Sequence, residues 1–313
     1  MNLIPRTDLT VFPLNLGGNT FGWTSAQDNS FAVLDAFVAG GGNFIDTADA
    51  YSMWVEGNEG GESETIIGQW MHERGNRDQI VLATKVGALA SRPGLSAENV
   101  DAALNESLER LQTDYIDLYY AHYDDENTSI AEQVRIAHDL VQSGRVRHIG
   151  LSNFTVERMR EWFEVATSEG LTVPVAIQPH YNLIHRQDFE QGYAPIAREF
   201  NVAVFPYFAL ASGVLTGKYR TLADLEGRAR QGFAADLLTD DALAVIDALV
   251  AVAEARSALP ATVALAWLRA KGIAAPIASA SSVEQLPALM AAAALQLTEA
   301  EVAALDEASQ PFA

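Results

Sequence analysis

Hydrophobic and polar positions along this chain fall into two repeating textures. Short apolar runs recur at residues 12–16, 43–46, 80–85, 115–122, 146–151, 173–178, 202–207 and 275–278. Between them lie longer stretches in which apolar residues return every three or four positions, at 27–39, 63–74, 97–111, 129–143, 155–169, 192–200 and 260–271, with 282–293 after the last run. The first texture predicts buried strands and the second predicts amphipathic helices. Strands alternating with helices build βα units around a parallel sheet. Eight of each is the number that closes a barrel. The pattern predicts an α/β fold, a (β/α)8 TIM barrel, formed as one domain over residues 1–313.

The punctuation agrees with these boundaries. Gly40, Gly41 and Gly42 stop the first helix, and Gly144, Gly170 and Gly272 stop later ones. Ser96 and Thr155, each followed by an acid in the next turn, have the chemistry of helix starts. Two helical stretches, 240–256 and 298–309, fall outside the count of eight. After the seventh strand, residues 211–240 read as a long loop loosened by Gly213, Gly217, Gly227 and Gly232. Loops of that length in compact domains are usually functional lids or disordered.

Composition narrows the chemistry. There are 41 acidic and 20 basic residues, so the formal net charge is −21. Such a surface repels nucleic acid and anionic membranes, and no basic stripe offsets it. Cysteine is absent, which removes disulfides, thiolate metal sites and cysteine nucleophiles. The first sixteen residues have no apolar signal core, and no apolar run is long enough to span a bilayer. The expectation is a cytoplasmic protein. His72, His138, His148, His180 and His185 are too scattered for a metal site.

Candidate chemistry sits at the strand ends. Asp46 ends the second strand and Tyr51 follows five positions later; Lys85 ends the third strand and His122 the fourth. In a parallel barrel these ends converge on one rim. A buried Asp at such a place needs a cationic partner, and Lys85 can supply one. An ammonium beside the Tyr51 phenol is expected to lower its pKa toward the range useful for proton transfer. A neutral His122 would donate a hydrogen bond to a substrate oxygen. Taken singly, each residue also has an ordinary structural reading; the convergence of four is what points to a site.

Several motifs carry a resemblance. They are the stretch from Gly42 to Tyr51, Gly61-Glu62-Ser63-Glu64 with Gly68, Thr84-Lys85, the run from Asp114 to His122, Gly150-Leu151-Ser152-Asn153-Phe154, Gln178 with Tyr181-Asn182-Leu183, and the run from Ser212 to Tyr219. In order and over nearly the whole chain, these resemble the aldo-keto reductase superfamily. The resemblance implies a (β/α)8 barrel that reduces aldehydes and ketones with a nicotinamide cofactor, NADPH by family habit, with NADH possible. It implies Tyr51 as proton donor, Asp46 and Lys85 as its electrostatic partners, and His122 as orienting donor. Ser152, Asn153 and Gln178 match positions that hold the carboxamide, and Tyr207 matches the ring that stacks under the nicotinamide. Gly213, Leu215 and Lys218 lie in the long loop that, in the family, closes over the pyrophosphate; Phe208, Leu210 and Ser212 are implied as further cofactor contacts, though Phe208 stands where the family commonly has a serine. Ser279, Ser281 and Gln285 stand where the family grips the 2′-phosphate, usually with basic groups. Their neutrality predicts weakened discrimination against NADH.

Trp23 and Trp54 are expected to wall the substrate pocket. The short tail after the last helix predicts an open site with broad carbonyl acceptance. The glycines at 17, 18 and 22 do not have dinucleotide-fingerprint spacing. Two other readings stand beside this one: a Schiff-base aldolase with Lys85 as nucleophile, and a nucleotide-binding regulatory subunit without turnover. The expected partner is a small carbonyl compound, with neither nucleic acid nor membrane; the sequence sets no oligomeric state.

Overall fold

The computed structural model describes residues 1–228 and 231–313. A two-residue hairpin comes first, with β1 (Asn2–Leu3) antiparallel to β2 (Thr10–Val11). Eight parallel strands follow: β3 (Asn15–Gly17), β4 (Phe44–Asp46), β5 (Val81–Val86), β6 (Ile116–Ala121), β7 (Val146–Ser152), β8 (Ala176–Gln178), β9 (Ala203–Val204) and β10 (Ile277–Ala278). They lie in the order β10-β3-β4-β5-β6-β7-β8-β9. A backbone hydrogen bond of 3.0 Å from Ile277 N–H to the Pro206 carbonyl, just beyond β9, bridges the two ends of that order. The result is the (β/α)8 barrel that the pattern predicts.

The barrel interior is a core of its own. Phe44, Val81, Ala83, Leu118, Tyr120, Ala176, Ala203, Phe205 and Ile277 cluster there, and Ile4, Leu9 and Val11 of the hairpin join them. Space inside is tight. A Cβ on Gly150 would sit 2.3 Å from the Tyr120 ring, its register partner on β6, so only glycine fits opposite that tyrosine. A second and larger core fills the layer between sheet and helices.

The helices that position the site are α1 (Gln27–Ala39), α2 (Glu62–Arg74), α3 (Ala97–Leu111), α4 (Ile130–Gln142) and α5 (Val156–Ser168). Ser96, Ser129 and Thr155 each accept a hydrogen bond from a backbone N–H in the first turn of the helix they start. Beyond β8 a π-helical turn, Asp188–Tyr193, leads into α6 (Ala194–Glu199), where one helix over 192–200 was expected. The 211–240 stretch is built of short turns: Ala211–Thr216, Leu222–Leu225, α7 (Gln231–Ala234) and Ala235–Leu237. Residues 229–230 of that stretch lie outside the described residues. Both extra helices form, as α8 (Asp240–Ala255) and α11 (Glu299–Ala308), and α9 (Pro260–Ala270) packs against α8. The expected helix over 282–293 is broken into Val283–Gln285, α10 (Leu286–Met290) and Ala291–Ala293. Pro287 explains the break, because its nitrogen cannot donate back to the preceding turn.

Candidate active site

At the C-terminal rim of the barrel β4 ends in Asp46, and the next five residues turn back over the mouth to bring Tyr51 above it. Lys85, from β5, is completely buried and makes three hydrogen bonds: 2.5 Å to Asp46 Oδ2, 2.8 Å to the Thr47 carbonyl and 2.7 Å to the Tyr51 hydroxyl. Three acceptors match the three protons of an ammonium. The Tyr51 hydroxyl lies 3.3 Å from Asp46 Oδ2, and Gln178 Nε2 donates to Asp46 Oδ1 at 2.9 Å. His122 completes the group, its ring centroid 6.1 Å from that of Tyr51. The four residues that the topology was expected to gather are therefore together.

Their electrostatics differ from the expectation at one point. Burial and the Asp46 carboxylate hold the Tyr51 phenol well above its ordinary pKa rather than below it. Burial is the larger cause, and the same Asp46 oxygen that anchors Lys85 also faces the phenol, so the carboxylate adds to the rise. The phenol therefore stays protonated and can donate. Burial also pushes the Lys85 pKa down, against the pull of Asp46. His122 is pushed well below 6.5 by burial and by Lys85, so its imidazole is neutral. Its Nδ1 is buried without a hydrogen-bond partner among the described residues. An orphaned lone pair is cheaper than an orphaned N–H, which puts the proton on Nε2.

A row of amides and hydroxyls continues around the rim. Ser152 Oγ donates to the Gln178 carbonyl at 2.9 Å. Asn153, at the end of β7, has φ of 54°, a left-handed conformation that asparagine tolerates better than most residues. That turn lets Asn153 Nδ2 donate to the His122 carbonyl at 2.9 Å and Asn153 Oδ1 accept from the Tyr207 hydroxyl at 2.8 Å. The Tyr207 ring stacks on His180 at 5.3 Å, and His180 stacks on His185 at 3.7 Å. Phe208 is exposed, and its left-handed backbone is pinned by Asn182, whose Nδ2 donates to the Phe208 carbonyl at 2.9 Å.

Beyond Leu210 the chain takes three successive left-handed residues, Ala211, Ser212 and Gly213, with φ of 47°, 55° and 94°. A Cβ on Gly213 would stand 3.4 Å from Lys218 Nζ, so the ammonium lies close over this backbone bend. Positive charge beside such a concave bend is a suitable cradle for a pyrophosphate. At the neighbouring rim Ser279 Oγ donates to Asn19 Oδ1 at 2.5 Å, and Gln285 Oε1 accepts from the Ser281 N–H at 2.9 Å. Lys218 and Gln285 are exposed. Together, a pinned tyrosine face, adjacent amide donors and a cationic backbone bend fit a nicotinamide dinucleotide.

Trp23 and Trp54 meet edge to face at 5.6 Å, and Trp54 meets Tyr51 at 6.3 Å, so both tryptophans stand at the mouth. Sequence reasoning did not single out Tyr123, whose ring is 5.1 Å from His122; an aromatic directly after a strand-end histidine was the available signal. The Thr47 carbonyl was also missed, since backbone acceptors leave no trace in side-chain identity.

Behind the site lies a buried acidic pair. Glu64 accepts from Thr84 Oγ1 at 2.5 Å and from Arg110 Nε at 2.7 Å. Asp49 is buried beside it, with Oδ1 unpartnered among the described residues. Burial and Glu64 raise the Asp49 pKa to about 7. In the unfolded chain the carboxyl returns to about 3.9. The folded state thus binds the extra proton between those values, and the stability it confers is lost as pH rises through 7. Asp49→Asn is expected to flatten that loss by on the order of 2 kcal/mol between pH 5 and pH 8. Thermal unfolding of both proteins across that range checks it; parallel curves would contradict it.

This fold and rim define a barrel oxidoreductase of the kind that reduces carbonyl groups. A sequence model described as the Aldo/keto reductase family matches residues 13–310, and the chain belongs to that family. Norsolorinic acid reductase B of Dothistroma septosporum is 33% identical, over 99% of this chain and 81% of the relative. Protein tas of Escherichia coli is 30% identical over 99% of this chain and 97% of its own length. The putative aryl-alcohol dehydrogenase AAD14 of Saccharomyces cerevisiae is 32% identical over 97% and 84%.

Proposed function

We propose that the chain reduces aldehydes and ketones to alcohols with NADPH, with Tyr51 as proton donor to the carbonyl oxygen. The observation that carries this reading is the 2.7 Å contact between Lys85 Nζ and the Tyr51 hydroxyl, with Asp46 behind both. When bound, a reduced nicotinamide would supply the hydride. As the carbonyl carbon receives it, the oxygen gains negative charge and takes the Tyr51 proton. The phenolate left behind faces the Lys85 ammonium, which is already in hydrogen-bond contact and needs no rearrangement. The neutral His122 donates to the same oxygen and fixes its direction. Solvent reprotonates Tyr51 after the product leaves. Ser152, Asn153 and Gln178 would hold the carboxamide, Tyr207 would support the ring, and Gly213 with Lys218 would hold the pyrophosphate.

The buried lysine supports a reductase over a Schiff-base aldolase. Lys85 has no exposed surface and each of its protons is bonded, so no amine lone pair reaches a substrate. The reading also includes a cytoplasmic location and no nucleic-acid partner. Among the described residues, no helix is long and apolar enough to cross a membrane.

The test is a fluorescence titration with NADPH and NADH, followed by a panel of carbonyl compounds with the tighter nucleotide. Turnover of aldehydes is expected. Tight nucleotide binding without turnover of any carbonyl would instead favour the regulatory-subunit reading. Ser279, Ser281 and Gln285 bring no cation to the rim where we place the 2′-phosphate, so NADH is expected to bind within reach of NADPH. Ser281→Arg is expected to tighten NADPH relative to NADH by roughly tenfold, since charge-assisted hydrogen bonds are the strong ones. Equal shifts for both nucleotides would place the phosphate elsewhere.

A further inference from the structure

Behind the Tyr207 ring the chain stacks two imidazoles. His180, just past the end of β8, lies 5.3 Å from Tyr207 between ring centroids, with the planes 23° apart. His185 stacks on His180 at 3.7 Å and 10°. Three near-parallel rings therefore back one another at this edge of the rim, and Phe208 tilts against His180 at 5.4 Å. The backbones meet as well: His180 and Tyr207 form an isolated parallel bridge, in which the Tyr207 N–H donates to the Pro179 carbonyl at 3.0 Å.

The hydrogen bonds fix the state of His180. Asn182 is buried, and its Oδ1 accepts from the Ile184 N–H at 2.8 Å, which makes Nδ2 its donor end. Nδ2 donates to the Phe208 carbonyl at 2.9 Å and stands 3.3 Å from His180 Nε2. An amide nitrogen has no lone pair to offer, so Nε2 accepts and the imidazole proton sits on Nδ1. A protonated ring would turn an N–H toward Asn182 and set a cation against His185. The charged groups facing His180 from its own connection are His185 and Asp188, themselves 3.3 Å apart. From the β9 side come the rings of Tyr207 and Phe208, and burial raises the Tyr207 phenol to about 12, so it is uncharged. Burial, and then His185, push the His180 pKa down to about 4 against the pull of Asp188. At neutral pH the ring is a flat, uncharged platform.

That platform leads into the site. The Tyr207 hydroxyl donates to Asn153 Oδ1, and Asn153 Nδ2 donates to the His122 carbonyl. A tilt of Tyr207 moves the free face of its own ring and the Asn153 amide together. We propose that His180 is a positioning residue for hydride transfer: its stacked imidazole sets the plane of Tyr207 and, through the Tyr207 hydroxyl, the orientation of Asn153. The proposal rests on the reductase reading, in which Tyr207 lies under the nicotinamide, and adds to it a residue one ring further from the chemistry. Hydride transfer depends steeply on alignment, and a misplacement of about 1 Å costs on the order of 10²-fold.

His180→Leu and His180→Phe separate the flat face from the bulk. Both fill the space and both remove the acceptor of Asn182, but only phenylalanine offers a ring to stack. His180→Leu is expected to lower kcat and raise the Kd for NADPH by roughly tenfold each, with KM for the aldehyde unchanged. His180→Phe is expected to recover both to within about threefold of wild type. With NADPH deuterated at the transferred position, the isotope effect on kcat is expected to rise in His180→Leu, because a misaligned hydride slows the chemical step; a residue that only supports the fold leaves it unchanged. Equal losses in the two variants, or no loss in His180→Leu, would overturn the proposal. A second readout needs no variant. Proton–nitrogen NMR of the wild-type imidazoles is expected to show His180 neutral with its proton on Nδ1 from about pH 7 down to about pH 5, and its signals are expected to move when NADPH binds. A proton on Nε2, or signals unmoved by bound NADPH, would also overturn it. A wild type that binds no nicotinamide nucleotide sinks the reductase reading and this proposal with it, whereas an active wild type without the contrast between leucine and phenylalanine sinks the proposal alone.

Discussion

Tyr51→Phe is expected to lower kcat for aldehyde reduction by roughly 10²–10⁴-fold, the usual worth of a positioned general acid, while the Kd for NADPH moves less than twofold. The substitution keeps the ring and its edge contacts with Trp54 and His122, and removes only the hydroxyl. Lys85 loses one of three acceptors but keeps Asp46 and the Thr47 carbonyl, so the barrel floor stays in place. The loss therefore falls on chemistry rather than on folding or nucleotide binding. Single-turnover measurement of NADPH oxidation separates the two. A variant within tenfold of wild type would remove Tyr51 as proton donor.

The second large effect concerns the floor itself. Lys85→Met leaves Asp46, which has no exposed surface, without its cation. Removing one partner of a buried ion pair typically costs about 3–5 kcal/mol, because the remaining charge is uncompensated. Gln178 and Tyr51 still donate to the carboxylate, and their hydrogen bonds keep the cost from rising further. Urea unfolding is expected to show the midpoint falling accordingly, with aldehyde reduction lost as well. Adding Asp46→Leu to Lys85→Met is expected to restore much of the stability and none of the activity, since two apolar groups need no compensation. A Lys85→Met protein as stable as wild type would mean that the pair contributes nothing to folding.

Much of the barrel was legible because its signals are local. Strands are marked by apolar runs and several helix starts by a hydroxyl, as at Ser96 and Thr155, whose side chains accept from the first turn. The N-terminal hairpin escaped because its strands are two residues each, too short for any period to register. The run at 12–16 gave the first barrel strand early; it begins at Asn15, after Pro13, which has no N–H for the ladder.

Site membership was legible for a related reason. Parallel strands put Asp46, Lys85 and His122 on one rim, so their meeting follows from topology. The direction of the Tyr51 shift was not legible, because it depends on which oxygen of Asp46 each neighbour shares and on how deeply the phenol is enclosed. The Asp49–Glu64–Arg110 layer was hidden likewise: its members come from three separate elements and carry no spacing signal.

The most direct measurement is a crystal structure with NADP⁺ and an unreactive carbonyl analogue. The carbonyl oxygen is expected within hydrogen-bond reach, about 2.6–3.2 Å, of both the Tyr51 hydroxyl and His122 Nε2, with the nicotinamide over Tyr207. A nicotinamide bound away from Tyr207, or an analogue whose oxygen touches neither donor, would contradict the assignment.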